Sequence, residues 1–306
     1  MSVTPIRPTG IVPPQELFDE VMRLYHAGGL PKGSSTGWPS LDEFYTVGQG
    51  QFTVITGMPG SGKSEFLDAM LVNLAERDDW DFAIHSPENF PTATHVIKLA
   101  EKRVRKPFGE GPNRRMGDAE FREAFLWLHE HFFWMDPEHN SPAKLLELAQ
   151  DRRRDRAKFG IVLDPWNTLD HARGNYNETD YTSYILTEVQ KIARAVNAHI
   201  WLVVHPAKLQ RDRDGNRPIP TPYDISGSAH WYNKADNIIC IHRDKTKDSQ
   251  DVQVLVQKVR FKHIGHIGGV TLKYDRVIGR YFEHDGPEMV DPLTGKPELY
   301  ADPERR

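Results

Sequence analysis

The nine residues Gly57, Met58, Pro59, Gly60, Ser61, Gly62, Lys63, Ser64 and Glu65 restrict this chain more than any other stretch in it. They follow the apolar run FTVIT and precede EFLDAMLVNLAE, where Phe66, Leu67, Met70, Leu71 and Leu74 recur at helical spacing. Strand, glycine loop and helix is the context in which G-x-x-x-x-G-K-[ST] wraps phosphate. Glycines let the backbone close around an anion, so that N–H groups and the positive end of the following helix point at its oxygens. Lys63 then neutralises the terminal phosphates and Ser64 holds Mg²⁺. The pattern predicts a site for ATP, or another NTP or dNTP, together with Mg²⁺.

At 306 residues, 38% hydrophobic and 27% charged, the chain is long enough for one large α/β domain, which is the expectation, or for two small ones. Its one cysteine, Cys240 in the apolar run NIICI, excludes a disulfide scaffold or a cysteine-based zinc site and suits a buried strand in a reducing compartment. The histidine clusters HEHFFW and HIGH lack companions at metal-ligand spacing and read as structural. No apolar stretch approaches the length of a membrane span, and MSVTPIRPTG has no apolar signal core, so a soluble intracellular protein without a membrane partner is expected. The net charge of −4 argues against indiscriminate coating of nucleic acid but leaves room for a local basic channel.

Residues 1–29 read as a Pro-rich arm followed by an amphipathic helix, QELFDEVMRLYHAGG, with Leu17, Phe18, Val21, Leu24 and Tyr25 on one side. That face must fold back on its own domain or pack on a neighbouring subunit. Residues 30–285 form the main domain: FTVIT, DFAIHS, FGIVLD, HIWLVVH and DNIICIHR alternate with helical patterns, which argues for a mostly parallel sheet flanked by helices. VQVLVQKVRF, GGVTLKYD and GRYFEH read as later strands and hairpins extending one edge of the sheet, and 286–306 as a loosely ordered tail.

Ligands gather at the carboxyl ends of parallel strands, so the residues there are the next candidates. Asp164 ends FGIVLD and suits the carboxylate that orders Mg²⁺ and its waters; an aspartate there also suits a turn cap. Glu88 follows DFAIHS and is a candidate to accept a proton from an attacking water, though it is equally at home as a turn residue. His205 ends HIWLVVH, placed either to sense the terminal phosphate or to serve structure alone.

Taken together, GLPKGSSTGWPSLDEFY, GMPGSGKSEFLDAM, HSPENFP, IVLDPWN, WLVVHPAK, DISGSAHWYNKADNIICIHRD and QKVRFKHIGHIGGVTLKYD, in this order, resemble the C-terminal motor of DnaB-type replicative ring helicases, closest to the Twinkle-like and phage primase-helicase branch. The resemblance runs from about Gly29 to Glu283 and implies a RecA-like fold. It implies that Lys63 and Ser64 are the phosphate-loop lysine and metal ligand, Glu88 the catalytic carboxylate, Asp164 the metal-ordering aspartate and His205 the phosphate sensor. By the same resemblance Lys258 and Arg260 in QKVRF reach into a neighbouring subunit's site, Arg260 as an arginine finger, and Arg243 and Tyr274 sandwich the base. A finger stabilises charge on the transferring phosphoryl group; the plainer reading of the pair is a strand edge charged against mispairing.

The implied function is an NTP-hydrolysing helicase: a ring, expected to be a hexamer, that moves 5′ to 3′ on single-stranded DNA and opens forked duplex. Two long polar connections, DHARGNYNETDY and KLQRDRDGNRPIPTPYDISG, are the candidate DNA loops, carrying Arg173, Lys208, Arg211, Arg213 and Arg217. Asp212 and Asp214 dilute that charge, and a solvated surface loop is the alternative. Only the arm precedes the motor, so a separate primase and polymerase are expected as partners, unless the chain is an excised domain. The expected location is the cytoplasm, with a phage gene in a bacterial host as one source. A RecA- or KaiC-like ATPase that remodels DNA or protein without unwinding is the alternative, and a small-molecule kinase is disfavoured by QKVRF and the long loops.

Overall fold

The computed structural model describes residues 14–135, 141–151, 158–171, 175–207, 209, 218–225, 228–244, 249–285 and 288–290. In chain order its elements are α1 (Pro14–His26), α2 (Pro39–Asp42), β1 (Phe52–Thr56), α3 (Lys63–Asp78), β2 (Asp81–His85), α4 (Thr92–Val104), α5 (Asp118–His131) and β3 (Phe132–Trp134). They continue with α6 (Pro142–Asp151), β4 (Phe159–Leu163), α7 (Glu178–Ala195), β5 (His199–Val203), α8 (Ser228–Lys234), β6 (Asn237–His242), β7 (Asp251–Val259), β8 (Gly268–Tyr274), β9 (Tyr281–Asp285) and β10 (Glu288–Val290).

The five-residue apolar runs become the central strands because each is buried on both faces, as parallel strands under helices must be. The sheet runs β10-β9-β8-β7-β6-β1-β5-β4-β2-β3. From β6 to β3 every pairing is parallel; from β6 to β10 every pairing is antiparallel. This is the mostly parallel α/β sheet with antiparallel C-terminal strands expected from the sequence. Side chains alternate between two cores: Ile55, Val162 and Val203 face the one built with α3, α4 and α5, and Val54, Ile161 and Leu202 the one built with α6 and α7.

Three local outcomes differ from the sequence reading. Phe132–Trp134, inside the cluster HEHFFW, is an edge strand beside β2. Glu288–Val290, within the stretch read as tail, pairs with β9. Residues 1–32 cluster as a unit apart from 33–306. Within that first unit α1 leaves Leu17, Phe18, Val21 and Tyr25 exposed.

One glycine is required by packing alone. Gly160 of β4 lies between aromatic neighbours, and a Cβ there would meet Phe82 at 2.6 Å and Trp201 at 2.7 Å. Those rings belong to a buried stack with Trp80, so neither can swing aside cheaply. Gly160→Ala should therefore cost about 1–3 kcal/mol of stability despite its lower unfolded-state entropy. Urea unfolding checks this; an unchanged midpoint would show that the stack yields.

Candidate nucleotide site

The phosphate loop leaves β1 through Gly57, whose φ of +147° and position against β6 admit no side chain: a Cβ would lie 2.2 Å from the Ile241 carbonyl oxygen. Gly60 and Gly62 also take positive φ, at +70° and +94°. Gly62 is the N-cap of α3 and, being a glycine, puts no side chain over that helix end, the arrangement that suits an anion. Lys63 is buried and folds back over the loop, donating to the carbonyls of Gly57 (2.9 Å) and Met58 (3.3 Å). Tyr281 of β9 closes the far side, its hydroxyl donating to the Gly62 carbonyl at 3.3 Å.

The ends of β2, β4 and β5 bring the other candidates to the same end of the sheet. Asp164 is 4% exposed, and its Oδ1 has no hydrogen-bond partner. Burial pushes its carboxyl up to about 6; the Ser64 hydroxyl that bonds it pulls the other way, and the charges of Asp68 and Glu88 add to the rise. A buried carboxylate oxygen without a partner, beside the hydroxyl of Ser64, fits a divalent cation whose remaining ligands are phosphate and water. Among the described residues no group of three or more His, Cys, Asp or Glu could hold a metal ion by itself. Glu88 is exposed, and its Oε1 stands 4.0 Å from His205 Nε2. Burial, with the charge of Lys63, holds His205 below the usual histidine range against the opposing pull of Glu88. The His205 N–H donates to Asn167 Oδ1 at 2.9 Å, which fixes the strand end.

Glu65, named with the loop, directs its carboxylate to α4, where Lys98 and Lys102 lie 2.8 and 2.6 Å away. Burial works to raise this carboxyl, yet the two lysines outweigh it and bring it down to about 2. Tyr274 stacks near Tyr281 with ring centroids 4.9 Å apart, and Arg243 donates to the Ser249 carbonyl at 3.2 Å while its charge acts on both tyrosine hydroxyls.

The basic pair is held elsewhere. Arg260 Nη2 donates to the carbonyls of Asn233 (2.8 Å), Lys234 (3.1 Å) and Ala235 (3.2 Å) at the C-terminal end of α8, and its Nε lies 3.1 Å from Asp236. Lys258 donates to the Tyr232 carbonyl and sits 4.8 Å over that ring. Arg173, Lys208, Arg211, Arg213 and Arg217 lie outside the described residues.

Sequence reasoning missed Asp68, His95 and Trp134. Asp68 lies one helical turn beyond Ser64, and His95 Nε2 donates to its Oδ1 at 3.0 Å. Trp134 Nε1 donates to His95 Nδ1 at 3.3 Å, which fixes the histidine tautomer. The i, i+4 spacing from Ser64 was the available signal for Asp68; nothing local pointed to His95 or Trp134.

These features define a P-loop nucleotide-binding protein on a RecA-like sheet. The solved structures it matches include a phosphate-loop ATPase domain, 20% identical, covering 89% of this chain and 98% of that one with a TM-score of 0.72. A DnaB-like replicative helicase, solved in a study of its interactions with primase, is also 20% identical, covering 89% of this chain and 71% of that one at a TM-score of 0.70. The RadB recombinase shares the fold more distantly, 14% identical over 82% of this chain and 99% of that one, at 0.55. The chain belongs to the DnaB-like helicase C terminal domain family, whose model matches residues 33–283. It is 39% identical over 297 residues to the Twinkle homolog protein, chloroplastic/mitochondrial, of Arabidopsis thaliana, aligning over 93% of itself and spanning 40% of that relative's length. No helix among the described residues is long and apolar enough to cross a membrane.

Asp164 supplies a pH test. Its folded value lies above the ordinary 3.8, so without a cation the folded chain loses stability as pH rises from there through about 6, by on the order of 3 kcal/mol. Asp164→Asn removes that loss. In EDTA the variant's advantage in unfolding midpoint should grow between about pH 4 and about pH 7.5 and shrink when Mg²⁺ and ATP are added. A flat difference would mean that Asp164 ionises without strain.

Proposed function

We propose that this chain is the motor of a replicative DNA helicase. It binds ATP or another NTP with Mg²⁺, hydrolyses it at the subunit interfaces of a ring, and moves 5′ to 3′ on single-stranded DNA to open forked duplex. Lys63 neutralises the terminal phosphates, Ser64 and Asp164 hold the cation, Glu88 takes the proton of the attacking water, and His205 reports the terminal phosphate. The ring is a hexamer, and primase and polymerase act as separate partners. Arg173, Lys208, Arg211, Arg213 and Arg217 grip the DNA backbone, and Arg243 and Tyr274 hold the base. In this reading residues 1–29 are the arm, 30–285 the motor and 286–306 the tail. The cytoplasm is the proposed location, and a phage gene in a bacterial host the proposed origin.

The observation that carries the interface reading is the position of Arg260. Val259 pairs with Asn237, and Asn237 with Thr53, so Arg260 stands at the amino ends of β1 and β6. The phosphate loop begins at the carboxyl end of β1, about 13 Å of strand away. An arginine there serves a phosphate only when that phosphate belongs to a second copy. Membership of the helicase family supports the output.

The first experiment measures ATP hydrolysis with and without single-stranded DNA across protein concentration and salt. Stimulation that rises cooperatively with concentration and weakens with salt is expected; hydrolysis indifferent to both would remove the motor reading. Fork unwinding then separates a helicase from an ATPase that only remodels.

Two substitutions test the roles. Glu88→Gln should keep nucleotide affinity while kcat falls by about 10² or more; retained turnover would move the base elsewhere. Arg260→Ala should lower kcat by up to about 10³–10⁵, and mixing it with Lys63→Ala should restore activity, because some interfaces then combine an intact loop with an intact finger. Mixed rings that stay inactive would count against the shared site.

A further inference from the structure

Along β7 the valines Val252, Val254 and Val256 alternate into the core. Continued at period two, Lys258 and Arg260 would follow them into apolar surroundings. They do not, because the β6–β7 register slips by one residue: Ile239 faces Val256, while Ile238 faces Lys258. Gln257 is the residue left over. Such a bulge turns the later side chains to the opposite face, so Val259 and Phe261 pack on the core and the two cations go to α8.

The bulged residue is also tied to another part of the chain. Gln257 Nε2 donates to the Pro220 carbonyl at 2.7 Å. Pro220 lies in the segment 218–225, whose far end pairs with the chain leaving β5 through the Pro206–Ile225 bridge and the Ala207 N–H to Asp224 carbonyl bond of 2.6 Å. Those contacts begin one residue after His205. Tyr223 of the same segment stacks on Tyr232, centroids 5.1 Å apart, and Lys258 lies over that second ring. One short segment therefore touches the support of the basic pair at two points and the neighbour of the sensor position at a third. The amide serves this link at a cost, because Gln257 Oε1 is buried without a hydrogen-bond partner. A methionine would fill the same space without it.

We propose that Gln257 is a positioning residue that couples the segment 218–225 to Lys258 and Arg260, so that single-stranded DNA which shifts this segment resets the reach of the pair and thereby the hydrolysis rate in the neighbouring copy's site. The inference rests on the ring-motor reading above. The coupling requires only that the segment has two positions which DNA binds unequally and that Gln257 transmits the difference.

The test uses the full chain and oligo(dT) as the DNA. Gln257→Met and Gln257→Leu remove the donor while keeping an apolar side chain of similar size; Gln257→Lys keeps a donor of similar reach. In the Met and Leu variants the ratio of DNA-stimulated to basal kcat should fall about tenfold. The KM for ATP, the Kd for oligo(dT) and the unfolding midpoint should stay close to wild type, and at saturating DNA the Lys variant should recover most of the ratio. An unchanged ratio in Met and Leu, a change in KM, Kd and stability alongside it, or a Lys variant no better than Met would overturn the coupling while leaving the motor reading intact. A wild-type chain that DNA fails to stimulate would overturn both.

Discussion

The tightest constraint in the molecule is the contact between the phosphate loop and β6, where a single added carbon at Gly57 would stand 2.2 Å from the Ile241 carbonyl. β1 lies between β5 and β6, so the loop must leave the sheet across a neighbouring strand, and only a residue without a Cβ passes there. The same turn starts α3, whose Phe66, Met70 and Leu74 are buried, and brings Gly62 under the Tyr281 hydroxyl. Tyr281 in turn packs on Phe66 and accepts, through its backbone carbonyl, the Trp38 indole N–H at 2.8 Å. The residues before the loop, the helix after it and the antiparallel strands far along the chain are thereby held by one turn.

Three carboxylates near that loop have three different environments. Glu65 is buried but held by two lysines, which tie α3 to α4 and leave it firmly ionised. Asp164 is buried with an unpartnered oxygen and prefers its proton up to about 6. Glu88 stands in the open, 4.0 Å from a histidine whose burial favours the neutral form. The arrangement suits a division of labour between an anchor, a cation ligand and a base, because environment rather than residue type sets which carboxylate can give or take a proton.

The antiparallel extension of the sheet serves a different end. It places Arg260 at the amino ends of the strands whose carboxyl ends carry the phosphate loop, and there the helix-end carbonyls of α8 and the Asp236 carboxylate hold its guanidinium. Lys258, brought down to about 8 by burial and by the charge of Arg260, shares that support. Asp236 also accepts the Phe52 N–H at 3.1 Å, so the support reaches the start of β1. The bulge at Gln257 makes this possible, since without it both cations would face valines.

By itself the sequence determined the phosphate loop, the α/β class, the parallel core strands and the strand-end positions of Asp164, Glu88 and His205. Each of these depends on short-range chemistry: glycines beside a lysine and a serine, apolar runs of five, and polar residues where those runs stop. It also held a trace of the bulge, because the apolar phase of Val252, Val254 and Val256 resumes one residue late at Val259 and Phe261. Only the tertiary structure decided the rest. Strand order set which ends lie together, the pairing of Phe132–Trp134 with β2 brought Trp134 to His95, and α4 crossing α3 gave Asp68 and Glu65 their partners. These are contacts between residues far apart in the chain, made by burying surfaces against one another, and no local spacing encodes which surface will meet which.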